Sequence, residues 1–229
     1  MSASDVIKQA FSAYRAWGPY LVGLTGAFFL AVGAVCAVLG LLLGEAGYLP
    51  ANVMAFAGSA WALAMIVDAI AALEEPTADR SLAGRVRAVL PYAGTLFLVW
   101  ILYTAGLTVG FLLFIVPGVV FSVWWALVVP IVVLERKGVH ASFGRSRQLV
   151  TGRGRTVFGT LFISGVLALV PGLAIYVAVR TLPVSAGAAD LITQFAASSV
   201  CLPFFAICQT VLYADLRSRF AAPSSQAWA

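Results

Sequence analysis

Apolar residues run through this chain in blocks of about twenty, and each block ends at a short polar segment, most of them carrying arginine. A helix needs roughly 20 apolar residues, at 1.5 Å each, to cross about 30 Å of hydrocarbon. Segments of that kind fall at about 20–43, 52–73, 92–115, 118–134, 157–179 and 191–212. The pattern predicts an all-α integral membrane fold of about six transmembrane helices. The third and fourth blocks are joined, since the 43 residues from Tyr92 to Leu134 carry no charge. As one helix they would reach about 64 Å, twice the hydrocarbon thickness, so two spans must share them. Pro117 and Gly118 are the natural hinge, because proline lacks the N–H that continues a helix and glycine tolerates tight-turn backbone angles. Pro130 predicts a bend near the end of the fourth span, where neighbouring helices or water must satisfy the freed carbonyl.

The segments before spans one, three and five are amphipathic. In the first, Ser4 or Asp5 can cap a helix whose Ile7, Ala10, Phe11, Tyr14 and Trp17 share one face while Lys8, Ser12 and Arg15 take the other. In the second, Ser81 can cap a short helix with Leu82, Val86, Val89 and Leu90 inward and Arg85 and Arg87 outward. In the third, Val139, Phe143, Leu149 and Val150 oppose Arg145, Arg147 and Gln148. A basic face beside an apolar stripe suits a helix in the headgroup region. The chain thus divides into an N-terminal interfacial helix at 1–19, a six-span domain at 20–217 and a short tail at 218–229. The threefold pattern reads either as a pseudo-symmetric bundle around a central path or as the repetition of basic loops common to hairpin-built membrane proteins.

Charge fixes the expected orientation. With six spans, 13 of the 14 Lys and Arg residues fall on one side and only Arg180 on the other. The positive-inside rule puts those 13, and with them both termini, in the cytoplasm. The first apolar run is too long for a signal-peptide core and is expected to remain as an anchor.

Composition narrows the function. Hydrophobic residues make up 62% of the 229 and charged residues 10%, far below the quarter or so usual in soluble domains. The net charge of +5 lies in short loops beside apolar runs, which favours anionic inner-leaflet lipid over nucleic acid as a partner. Cys36, Cys201 and Cys208 lie inside apolar runs with no CxxC pair, as packing thiols do.

A run from Phe114 to Thr160 holds Val116-Pro117-Gly118, Trp125-Ala126-Leu127, Pro130, Glu135, Gly138, Ala141, Arg145-Ser146, Leu149 and Gly152. With Phe11-Ser12-Ala13-Tyr14-Arg15 and Leu212-Tyr213-Ala214-Asp215-Leu216-Arg217, it resembles the glycerophosphodiester phosphodiesterase membrane-domain family. The resemblance implies a six-helix domain of the bacterial cytoplasmic membrane, sometimes fused to a catalytic barrel and often standing alone. The barrel would need several acidic metal ligands and two histidines, and this chain has one histidine and no barrel.

The residues themselves predict no catalytic, metal or cofactor site. His140 stands alone in a basic loop, and no histidine can reach the serines of the spans. Thr151-Gly152-Arg153-Gly154-Arg155 lacks the strand and the GK[ST] ending of a phosphate-binding loop. Asp68 is the ionisable residue inside a span, near its cytoplasmic end, where it reaches either water or Arg85. Gln194 and Gln209 give span six its polar face, and with Asp68 they mark either a solute path or structural polar sites. Arg145, Arg147, Arg153 and Arg155 are expected to contact lipid phosphate, with Arg145 alternatively paired to Glu135 or Asp215. The GxxxG pairs Gly40/Gly44 and Gly106/Gly110 favour close internal packing over a dimer seam. The expected function is a non-enzymatic membrane scaffold or accessory subunit without cofactors, touching membrane lipid and a protein partner or further copies of itself. The alternative is a small transporter or channel for a hydrophobic or anionic solute.

Overall fold

The computed structural model describes residues 1–74 and 79–221; the tail read at 218–229 lies outside the described residues beyond Ala221. Among them, regular structure is helical: α1 (Ala3–Leu43), α2 (Tyr48–Ala71), α3 (Leu82–Val89), α4 (Ala93–Leu113), α5 (Ile115–Trp124), α6 (Val128–Leu134), α7 (Val139–Val150), α8 (Gly154–Arg180) and α9 (Ala186–Ala221). Six helical segments are long and apolar enough to cross a membrane: Ala3–Leu43, Pro50–Ala71, Leu82–Leu113, Ile115–Leu134, Gly154–Arg180 and Gly187–Phe220. Large apolar side chains such as Leu30, Leu112, Val116 and Val170 stand exposed around the bundle. On a soluble protein such a surface would drive aggregation; here it matches hydrocarbon.

The segment at 1–19 is continuous with the first span, because α1 passes through Pro19 without a break. Its 41 residues reach about 62 Å, so part of it lies beyond the hydrocarbon layer. The cap is Ser2 rather than Ser4, with the Asp5 N–H bonded to the Ser2 hydroxyl and the Asp5 carboxylate accepting from the Ser2 N–H, a capping box. The buried stripe also differs from the expected one. Ala10 of the expected stripe is fully buried, but so is Val6, which lay outside it, whereas Phe11 is 56% exposed and Trp17 also faces out. The bundle decides this: Val6 packs with Leu127, Val150, Val157, Leu212 and Leu216, so the face toward α9 is the inner one.

Ser81 caps α3 as expected, accepting from the Gly84 N–H at 3.0 Å. Arg85 of that helix, expected to point outward, is 6% exposed, and Leu90 is exposed instead. Asp68 at the end of α2 draws the guanidinium inward.

Within the bundle α2 contacts α1, α4, α6 and α9, while α8 packs on α9 and α1. Met65 and Ala64 of α2 meet Phe29, Leu96, Val128 and Val132 in one core cluster; Ile66 meets Leu21, Leu24, Ile207 and Cys208 in another. The expected hairpin between the third and fourth spans is present, but its turn is at Phe114, whose backbone is extended, three residues before Pro117. Pro117 and Gly118 sit in the first turn of α5, where a missing N–H costs nothing because no carbonyl precedes it within the helix. Gly118 serves close approach: a Cβ added at Gly110 would stand 3.0 Å from the Gly118 Cα and 2.9 Å from the Phe121 ring. The Gly106/Gly110 pair thus packs internally, with Gly106 against Trp125. Replacing Gly110 with leucine is expected to destabilise the hairpin by about 1–3 kcal/mol through overpacking, seen as a lower melting temperature in detergent. An unchanged melting temperature would mean that the two helices do not close on each other at this point.

Candidate functional site

The fourth span breaks between α5 and α6, and the break organises the basic end of the molecule. Pro130 cannot donate to the Ala126 carbonyl, and the chain makes a turn over residues 125–127 before helix resumes. In that turn the Ala126 N–H takes the Val123 carbonyl and the Val128 N–H takes the Trp125 carbonyl. This leaves the Trp124 carbonyl and the Leu127 N–H without helical partners. One hydroxyl satisfies both: Ser146 on α7 donates to the Trp124 carbonyl at 2.7 Å and accepts from the Leu127 N–H at 3.2 Å. Ser146 is fully buried. The bend predicted at Pro130 therefore lies a few residues upstream of it, and the neighbouring helix that repairs it is the amphipathic segment that follows in sequence.

Glu135 follows directly on α6 and gathers three elements. Its carboxylate is 3.4 Å from Arg145 Nε on α7, 3.1 Å from Lys137 Nζ, and accepts from the Tyr213 hydroxyl of α9 at 3.0 Å. Burial pushes the Glu135 carboxyl up, but the hydrogen bonds from Lys137 and Tyr213 and the charge of Arg145 outweigh it and hold the group below its ordinary value. Of the two partners open to Arg145, the structure selects Glu135. Asp215 instead meets Arg219 at 2.8 Å and the Met1 amino group at 3.4 Å. Asp68 pairs with Arg85 Nη1 at 2.8 Å, and Arg85 Nε also donates to the Asp79 carbonyl at 2.8 Å.

Four arginines of this end make no ion pair among the described residues. Arg147 lies over the Trp124 ring at 4.4 Å and makes no ion pair among the described residues, nor do Arg136, Arg153 and Arg155. Arg145 also covers the Phe220 ring at 4.5 Å. At the opposite end Arg180 pairs with Asp190 at 2.7 Å.

Asp68, Gln194 and Gln209 do not come together. Asp68 faces Arg85; Gln194 lies fifteen residues from Gln209 along α9, about 22 Å of helix. Gln209 borders a cavity of about 230 Å³ between α2, α4, α9 and the break in span four, with Ser59, Tyr103, Trp125 and Leu202. Of its lining only Gln209 carried a sequence signal, because the walls come from four elements distant in sequence. Ser146 had one: a small hydroxyl residue on the amphipathic segment after a proline-broken span. Among the described residues, no three His, Cys, Asp or Glu side chains are grouped to hold a metal ion. Cys36 and Cys208 are buried free thiols.

Fold and surface define a multi-pass integral membrane protein. No family model, no curated protein and no solved structure matches the chain.

Two substitutions test this end. Ser146→Ala leaves a buried N–H and a buried carbonyl unpaired and is expected to cost about 1–3 kcal/mol of stability in detergent; stability equal to wild type would mean that water replaces the hydroxyl. Glu135→Gln is expected to cost about 1–2 kcal/mol at pH 7. Because the folded carboxyl is depressed, its contribution is fully present above the unfolded value of about 4.3. It is lost as pH falls through the lower folded value. Thermal unfolding followed by tryptophan fluorescence should show the gap between wild type and Glu135→Gln closing below pH 4, whereas a gap unchanged at pH 3 would rule out charge as its source.

Proposed function

We propose that this protein is a non-enzymatic scaffold or accessory subunit of the bacterial cytoplasmic membrane, seated by its basic end on the anionic inner leaflet. What carries the reading is the division of the cations at that end. Asp68, Glu135 and Asp215 each hold a cation within the fold, while Arg136, Arg147, Arg153 and Arg155 make no ion pair among the described residues. Arginine without an internal carboxylate beside an apolar belt suits lipid phosphate, which it binds as a planar fork. The positive-inside rule puts this end, and both termini, in the cytoplasm.

A transporter for a hydrophobic or anionic solute is the rival. The cavity beside Gln209 favours it, but the separation of Asp68, Gln194 and Gln209 weighs against a continuous polar path. In nanodiscs of mixed phosphatidylglycerol and phosphatidylcholine, native mass spectrometry should find phosphatidylglycerol retained on the wild type. Each arginine near a charged surface contributes about 1 kcal/mol, so the triple variant Arg147→Gln, Arg153→Gln, Arg155→Gln is expected to lose roughly 100-fold in that preference at low salt. Equal retention of both lipids by the wild type would overturn the proposal.

A further inference from the structure

The cavity beside Gln209 offers more than a packing defect. Gln209 is 7% exposed, and its Oε1 has no hydrogen-bond partner among the described residues. A buried amide left unsatisfied is costly, and such groups are rare in folded proteins. The last torsion of a glutamine is soft and roughly two-fold, so a half-turn about it exchanges the oxygen and nitrogen ends of the amide at the cavity wall. Tyr103, Thr104 and Ser59 supply further hydroxyls on the wall, and no charged side chain lines it. Dry apolar walls with a few hydroxyls and an amide suit an uncharged polar group and reject an ion.

The mouth says where that group comes from. Phe56, Tyr103 and Thr104 also border an outer groove with Leu107, Phe111 and Leu112, and Leu112 is 84% exposed on the lipid-facing surface. The cavity is therefore approached sideways, from hydrocarbon. Its volume of about 230 Å³ holds seven or eight groups of water size, at roughly 30 Å³ each. That admits a head group and the first carbons of a chain whose remainder lies along the groove.

We propose that this cavity is a binding site for a membrane-soluble long-chain alcohol, its hydroxyl held by the Gln209 carboxamide and its tail leaving between α2 and α4. A hydroxyl donates and accepts at once, as an amide does, so it satisfies Gln209 whichever end of the amide faces it. The site goes beyond the scaffold reading and does not depend on the basic end.

The test uses the full chain in nanodiscs with hexadecanol carrying a diazirine near its hydroxyl. After irradiation, peptide mapping should place the label on Tyr103, Trp125 or Leu202, with unlabelled hexadecanol competing and hexadecane not. Gln209→Leu keeps the side-chain volume and removes the amide; labelling at these positions is expected to fall about tenfold, the worth of one hydrogen bond of about 1.4 kcal/mol. Ala60→Phe fills the cavity from the α2 wall without touching Gln209 and should also abolish it, which guards against misfolding of either variant. Label spread evenly over lipid-facing side chains, equal competition by hexadecane, or unchanged labelling in Gln209→Leu would each overturn the proposal and leave a cavity filled by water or bulk lipid tails.

Discussion

A helix that breaks inside or beside a bilayer must find partners for the backbone groups it releases, and here that constraint falls on Trp124 and Leu127. The Ser146 hydroxyl answers both at once, and much else at the basic end follows from the position it imposes. Tied to the break, α7 cannot drift on the membrane surface. Its Arg145 is held against Glu135, its Leu149 and Val150 close over Val123, Leu127 and Ile131, and Trp125 stacks with Phe121 and meets the Phe143 ring edge-on. A span interrupted by proline is thus stabilised by the segment that follows it, and the same interruption forms one wall of the cavity.

The second, fourth and sixth spans share a device. Each runs to a carboxylate at the basic end: Asp68, Glu135 and Asp215. The first pairs with Arg85 of α3, the second with Arg145 of α7, and the third with Arg219 and the amino group preceding α1. In each case an acid at the end of a span holds a cation at or beside an amphipathic segment. Partly buried pairs of this sort add little net stability but fix position, because an unpaired charge in a wrong register is strongly disfavoured. The amphipathic segments are consequently parts of the bundle: Val6 and Ala10 of the first are as buried as any core residue. Their outward faces remain basic.

Six spans, the hairpin between the third and fourth, the Ser81 cap and the clustering of arginine at one end were legible in the sequence. All follow from local properties: the length of an apolar run, the missing N–H of proline and the count of cations in each loop. Less legible were the faces of the amphipathic segments. Helical spacing identifies Val86 and Val89 as apolar positions but puts Arg85 on the outside; the sequence leaves Asp68 open to water or to Arg85, and only the packing of α3 on α2 selects the pair at 2.8 Å and turns Arg85 inward. Spacing also puts Phe11 and Trp17 on the apolar face without saying whether that face meets lipid or core, since a lipid-facing aromatic and a core aromatic look identical in a periodicity.

The sequence by itself determined that this chain lies in a membrane, how many times it is long enough to cross, and which end is basic, since these depend on composition summed over short windows. Tertiary structure alone decided that the hairpin turns at Phe114, that Ser146 repairs the fourth span, that Arg145 chooses Glu135 over Asp215, and that Gln209 borders a cavity walled by four elements. Each of those outcomes depends on which helix lies beside which, and in a bundle whose faces are nearly all apolar, hydrophobicity cannot encode neighbours. Shape, glycine contacts and a few polar pairs do so instead, and they act only once the helices have met.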